Sequence, residues 1–217
     1  MNKYIIITAR SSSTRLNKKI LKKITNKERS IDILINRAQL IGFPICLATS
    51  NDKSDDQLVK YVKKNYNIDI YRGDKDNKIK RWYYCFKKLK IDVAGFVDGD
   101  DLAFDYELYK TYLQKSKNNK LNSFKFPDKI VTGAFTYIFT KKDITKLYNY
   151  TKKIHSLDVI EFYVKYLKNI KVVKVSKKLI SKNIRLTMDY EKDLLFFKKL
   201  YKKISIIEKT QKIIQFL

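Results

Sequence analysis

A short apolar run, Tyr4-Ile5-Ile6-Ile7, empties directly into Ala9-Arg10-Ser11-Ser12-Ser13-Thr14-Arg15-Leu16 and on to Lys19. The run reads as a buried strand, and a strand that ends in small hydroxyl residues studded with fixed cations is a place to hold a polyphosphate. Backbone N–H groups and hydroxyls can line an anion at such an exit, while two arginines and a lysine supply the charge that a triphosphate needs neutralised. The loop has no glycine and lacks the G-x-x-x-x-G-K-[ST] spacing, so it is not a Walker A motif. Read locally, it serves equally well as an ordinary basic connection between a strand and a helix.

Short apolar runs alternate with helical patterns along the rest of the chain, which is the signature of an α/β protein with an open, mostly parallel twisted sheet and helices on both faces. Strands are expected at Tyr4–Ala9, Ile45–Ala48, Asp69–Tyr71, Val93–Val97, Ser123–Phe126, Ala134–Phe139 and Lys171–Val175. Helical stripes recur at Ile31, Leu34, Ile35, Ala38 and Ile41, at Leu58, Val59 and Val62, and at Leu194, Phe197, Leu200, Tyr201 and Ile204; they read as core. A polar turn is expected at Ser116–Lys120 and a helix in the tail from Glu208 to Leu217. No linker, repeat or low-complexity block divides the chain, and a single domain over residues 1–217 is expected. A parallel sheet binds its ligand at the C-terminal ends of its strands. The Arg10 loop, the Ala48-Thr49-Ser50 turn and Asp98-Gly99-Asp100-Asp101 each follow a strand, so three polar clusters should meet in one crevice.

The net charge of +26 would ordinarily suggest nucleic acid. Here the charge is diffuse and rests on 41 lysines against seven arginines, in a chain with only five glycines and two prolines. That is the profile of an AT-rich coding sequence, and no basic helix stripe, zinc spacing or RNA-binding aromatic signature accompanies it. No nucleic acid and no membrane is expected as a partner: no apolar run approaches 18 residues, no leader pattern opens the chain, and a cytoplasmic protein is expected. Cys46 and Cys85 read as small buried apolar residues, not as a disulfide or metal pair.

The pattern A-R-x-x-S-T-R-L-x-x-K-x-L, from Ala9 to Leu21, resembles the N-terminal signature of cytidylyltransferases that make CMP-activated acidic sugars. Those include the CMP-3-deoxy-octulosonate synthetases and the spore-coat polysaccharide cytidylyltransferases. Further stretches follow in that family's order: Ala48-Thr49 before Asp55-Asp56, Tyr71-Arg72-Gly73-Asp74 leading to Arg81-Trp82-Tyr83, Gly99-Asp100, and Arg185-Leu186-Thr187-Met188-Asp189 with Asp193-Leu194 beyond. The sequence departs from the family at Ser12, where glycine is usual, at Asn17-Lys18 in place of Pro-Gly, and at Asp101-Leu102 after Gly99-Asp100.

The resemblance implies a nucleotide-diphospho-sugar transferase-like, Rossmann-like fold and transfer of CMP from CTP to an acidic sugar or phosphonate, releasing pyrophosphate; the alternatives are a nucleotidyltransferase of the same fold that uses another nucleotide, or a non-catalytic basic RNA-binding or scaffold protein. It implies magnesium (Mg2+) held by Asp100 and Asp189, an ion that needs only one or two carboxylates beside phosphate and water. Arg10, Lys19 and Asp100 are the implied catalytic residues. Ala9, Arg10, Ser12, Ser13, Arg15, Lys19 and Thr49 are expected on the nucleotide, and Arg72 and Arg81 on the acceptor; a homodimer is left open.

Plainer readings stand beside these. Asp98, Asp101 and Asp105 crowd the Asp100 turn, where a bound cation would relieve their repulsion, yet Asp105 could simply cap the helix near Tyr106. Asp189 could cap the helix after it. Trp82, Cys85, Phe86 and Leu89 make a core stripe. His155, the one histidine, has no recognisable serine or cysteine partner for a triad.

Overall fold

A computed structural model describes residues 1–13, 15–115, 121–157, 159–181 and 183–217. The elements are β1 (Lys3–Thr8), α1 (Ser30–Gln39), β2 (Ile45–Ser50), α2 (Asp56–Asn65), β3 (Asp69–Gly73), α3 (Lys78–Lys88), β4 (Val93–Asp98), α4 (Tyr106–Lys115), β5 (Phe124–Lys125), β6 (Tyr137–Thr140), α5 (Lys141–Thr151), α6 (Glu161–Val164), β7 (Lys171–Val172), α7 (Glu191–Lys203) and α8 (Thr210–Gln215). The strands form one sheet in the order β3-β2-β1-β4-β6-β5-β7. β3, β2, β1 and β4 run parallel, while β6 lies antiparallel to both β4 and β5.

Alternation along β1 sorts the core onto two faces. Ile5 and Ile7 join the cluster under α1, α2, α4 and α7, and Tyr4 and Ile6 join the one under α3, α5 and α6. Helices therefore cover both faces, as the alternating pattern predicts, and every expected strand is present. β6 begins three residues late because the backbone before it is engaged elsewhere. The Ala134 carbonyl accepts from Asp105 N, and Thr136 N donates to the Tyr109 hydroxyl. The expected turn at Ser116–Lys120 lies outside the described residues. Among the described residues no helix is long and apolar enough to cross a membrane. Cys46 and Cys85 are buried free thiols with their sulfurs 3.7 Å apart.

The tail is placed by Arg37, a fully buried side chain of α1. Its guanidinium donates to the carbonyls of Phe104 at 2.6 Å, Ile206 at 2.9 Å and Glu208 at 2.8 Å, and to the Thr210 hydroxyl at 3.0 Å. The carbonyls cross-link α1, the residues before α4, and the segment leading to α8. Arg37→Met should lower the unfolding free energy by about 3 kcal/mol, since it strands several buried acceptors at once. Urea unfolding measures this; a loss within experimental error would mean that the tail is held by Ile213 packing alone.

Candidate active site

The ends of β1 and β4 are pressed together at Gly99. A Cβ there would stand 2.9 Å from the Ala9 Cβ and 3.1 Å from the Thr8 carbonyl oxygen, so only glycine allows the approach. Gly99 N donates to that same carbonyl at 2.9 Å. The next residue, Asp100, thereby turns out of the sheet directly beside the Arg10 loop.

Asp55 shapes the loop itself. It is buried and accepts from Ser11 N at 2.6 Å and from Ser50 N at 3.0 Å, tying the exit of β1 to that of β2. Burial alone would raise its carboxyl, but the Ser50 hydroxyl and Ser11 N–H outweigh it and hold the group below the ordinary range. Lys18, where the family's glycine usually stands, has φ 49°, a left-handed conformation that costs a side-chain-bearing residue about 1 kcal/mol or more. It starts the Lys19–Leu21 turn that aims Lys19 inward.

The segment from Arg185 to Asp189 arrives from the other side. Leu186 N donates to the Thr132 carbonyl at 2.8 Å and Met188 N to the Asp100 carbonyl at 2.9 Å. Asp189 is thus delivered to Asp100, 89 positions away in the numbering. Lys19 Nζ bridges the two, 3.0 Å from Asp100 Oδ2 and 3.1 Å from Asp189 Oδ1. Arg15 reaches Asp189 Oδ1 at 2.8 Å and Arg185 reaches Oδ2 at 2.5 Å. The helix-capping role open to Asp189 falls instead to Asp193, which accepts from Asp189 N at 2.8 Å and Tyr190 N at 2.9 Å.

These contacts set the ionisation of the site. Burial raises the Asp100 carboxyl, and Asp98 adds to it against the pull of Lys19. Burial also opposes ionisation of Asp189, but Lys19, Arg185 and Arg15 outweigh it and hold the carboxyl low. Lys19 loses solvation on burial, yet Asp100 and Asp189 keep it firmly protonated.

The remaining aspartates do not share one cation, for the fold turns them apart. Asp98 pairs with Lys78 Nζ at 2.6 Å. Asp101 lies buried below the turn, and desolvation, with the charges of Asp100 and Asp98, pushes its carboxyl well up. Asp105 accepts from Leu108 N at 3.1 Å and caps α4. Among the described residues no group of three or more acidic, cysteine or histidine side chains is arranged to hold a metal. Asp100 and Asp189, however, converge on a single cationic atom. Two carboxylates aimed at one point are the donor set that magnesium takes from a protein when phosphate and water complete its shell, so these residues fit that ion.

Between the strand ends lies a crevice of about 340 Å³, lined by Ala9, Arg10, Ser12, Ser13, Arg15, Lys19, Arg81 and Asp100 among the expected residues. Arg10 donates to the Lys75 carbonyl, and Arg81 donates to the Asp74 carbonyl at 2.6 Å, so both lean on the loop before α3. Thr49 and Arg72 are not brought there. Thr49 is fully buried in β2, and Arg72 is engaged by the Ser50 and Asp52 carbonyls and by Asp56 at 2.6 Å. His155 is exposed and does not line the crevice. Trp82 is core, its indole N–H donating to Thr8 Oγ1 at 2.8 Å. Lys78, which does line the crevice, carries no recognisable motif in the sequence; its place on the first turn of α3 was the only available signal.

Known proteins match this chain over almost its whole length. The sequence model of a family described as cytidylyltransferase covers residues 4–213. An uncharacterized protein of Methanocaldococcus jannaschii is 26% identical over 220 aligned residues, spanning 98% of this chain and 88% of the relative. A cytidylyltransferase structure from Leptospira borgpetersenii superposes with a TM-score of 0.84 at 20% identity, covering 100% of this chain and 93% of the other. A structure of CMP:2-keto-3-deoxy-manno-octonic acid synthetase complexed with CTP superposes at 0.67 with 15% identity, covering 94% and 99%.

The low carboxyl of Asp189 makes a pH prediction. A group held below its unfolded value contributes stability that is present above the ordinary carboxylate range near pH 4 and is lost as pH falls through the folded value. Asp189→Asn should therefore be less stable than the parent at pH 6, and the gap should close towards pH 2.5 in urea midpoints. A gap independent of pH would mean that Asp189 contributes shape and not charge.

Proposed function

Because the chain belongs to the cytidylyltransferase family, and is accordingly a nucleotidyltransferase, we propose that it moves CMP from CTP to an acidic sugar or a phosphonate, as a single domain working in the cytoplasm. The observation that carries this reading is the crevice that Arg10, Arg15 and Lys19 line together with Asp100 at the joined ends of β1 and β4, with Lys19 gripping Asp100.

In this reading the acceptor's oxygen attacks the α-phosphate of CTP, forming a new P–O bond as the bond to pyrophosphate breaks. Arg10, Arg15 and Lys19 receive the β- and γ-phosphates, where negative charge grows as that bond opens. Ser12 and Ser13 donate hydroxyl hydrogen bonds to phosphate or to the cytosine edge. Asp100 and Asp189 would hold magnesium, which would supply Lewis-acid neutralisation of the charge that develops on the phosphates. Lys19, on a flexible stem between these carboxylates and the loop, can follow the phosphates without leaving the crevice. Arg81, braced on the Asp74 carbonyl before α3, is left to the acceptor.

Two outcomes are expected. CTP with magnesium should raise the melting temperature more than ATP, GTP or UTP does, because a ligand that binds only the folded state stabilises it, by about 2.7 kcal/mol at a hundred times its Kd. Equal shifts with all four would remove the cytidine preference. In a pyrophosphate-release assay against a panel of acidic sugars and phosphonates, Asp100→Ala should cost at least about a hundredfold in rate while melting like the parent. Near-normal turnover in that variant would take Asp100 out of the site.

A further inference from the structure

The proposed reaction leaves one charged pair in the crevice without a task. Lys78 projects from the first turn of α3, its side chain only 12% exposed, and pairs with Asp98 Oδ1 at 2.6 Å. Its ammonium lies 5.1 Å from the centre of the Trp82 ring, and that indole is itself held by Thr8. Thr8 and Asp98 are partners in the β1–β4 register. The pair is therefore tied to the sheet through Asp98 and Trp82, and it lines the crevice together with Asp100 and Arg81.

The pair comes from α3 and the end of β4, not from the loop that carries the triphosphate cations. Arg10, Arg15 and Lys19 all come from the loop after β1, and Lys19 faces Asp100 from that side. With the triphosphate on those residues, the acceptor has the wall made by α3 and Asp98 left to it. Resting on the reading above, we propose that Lys78 is a specificity-determining residue that receives the acceptor's carboxylate, while Asp98 accepts from a hydroxyl next to that carboxylate.

The charge balance distinguishes the kind of anion. Asp98 offsets most of the Lys78 charge, so the pair presents one strong donor beside one strong acceptor and little net charge. A singly charged carboxylate with a neighbouring hydroxyl matches both halves. A phosphonate, carrying more negative charge and lacking that hydroxyl, would be repelled by Asp98. Trp82 beneath the ammonium fixes its height and gives the acceptor's carbon skeleton no route deeper into the sheet.

The test compares the parent with Lys78→Gln and Lys78→Met in steady-state pyrophosphate release. The probes are 2-keto-3-deoxy-manno-octonate and glucuronate, their methyl esters, and 2-aminoethylphosphonate. Both variants should raise the KM for the acids roughly tenfold or more, the scale of one lost charge-assisted hydrogen bond, and leave the KM for CTP within about twofold of the parent's. They should also erase the parent's preference for acid over ester. An unchanged acid KM in either folded variant overturns the assignment, as does a parallel rise in the KM for CTP, which would make Lys78 a phosphate contact. Preference of the parent for the phosphonate overturns it as well. If the parent releases pyrophosphate with none of these acceptors, the acidic-sugar reading falls and this inference with it; an active parent beside unaffected variants sinks this inference alone.

Discussion

The crevice depends on how closely two parallel strands finish beside each other. β1 and β4 pair along six residues, from Lys3↔Val93 to Thr8↔Asp98, and the chain then turns away from the sheet on both sides at once. Such a junction is crowded, and Gly99 relieves the crowding by bringing no side chain to it. A methyl group there would push the Asp100 turn away from Ala9, and with it the carboxylate that Lys19 grips. The distance between loop cations and strand-end carboxylate is thus set by backbone contact, which is stiffer than any pairing of long side chains.

Charge is arranged around that junction with equal economy. Four aspartates within eight residues would repel one another if they shared a cavity. The fold sends Asp98 to Lys78, Asp100 to Lys19, Asp101 into the interior and Asp105 to the start of α4. Asp189 then meets Asp100 across Lys19, with Arg15 on the same carboxylate oxygen as Lys19 and Arg185 on the other. A cation therefore stands beside each carboxylate that faces the crevice. The excess of lysine over the surface adds a long-range attraction for anions, but it is screened over about 10 Å in ordinary salt. The orientation of a triphosphate must come from the fixed groups.

Much of this was legible along the chain. The alternation of apolar runs and helical stripes carries the α/β architecture, because burial on two faces of a sheet demands it. The strand exits at Arg10 and Asp100 identify the crevice, since a parallel sheet leaves its ligand no other edge. Thr49 and Arg72 show where such reading stops. Both sit in conspicuous motifs, yet Thr49 packs inside β2 and Arg72 braces the connection between β2 and α2. A motif marks a residue that the fold needs, and the need can be for the loop's shape as easily as for its ligand. Asp55 is the same case, a buried carboxylate whose partners are the backbone N–H groups of two strand exits.

Local chemistry sufficed for the strands, the helices, the Asp105 cap and the cationic loop, because each rests on neighbours within a few residues. The pairs that give the crevice its character join distant positions: Lys19 with Asp189, Lys78 with Asp98, Arg37 with the segment before α8. No spacing announces them, since a charged side chain finds its partner only after the elements carrying both have packed. The capping of α7 makes the point in small. Asp189 and Asp193 are equally suited to a helix start by type, and tertiary packing gave the cap to Asp193 and left Asp189 for the crevice. The backbone of Met188, anchored to the Asp100 carbonyl, decides which carboxylate faces inward, and that anchor exists only once β4 and the 185–189 segment lie side by side.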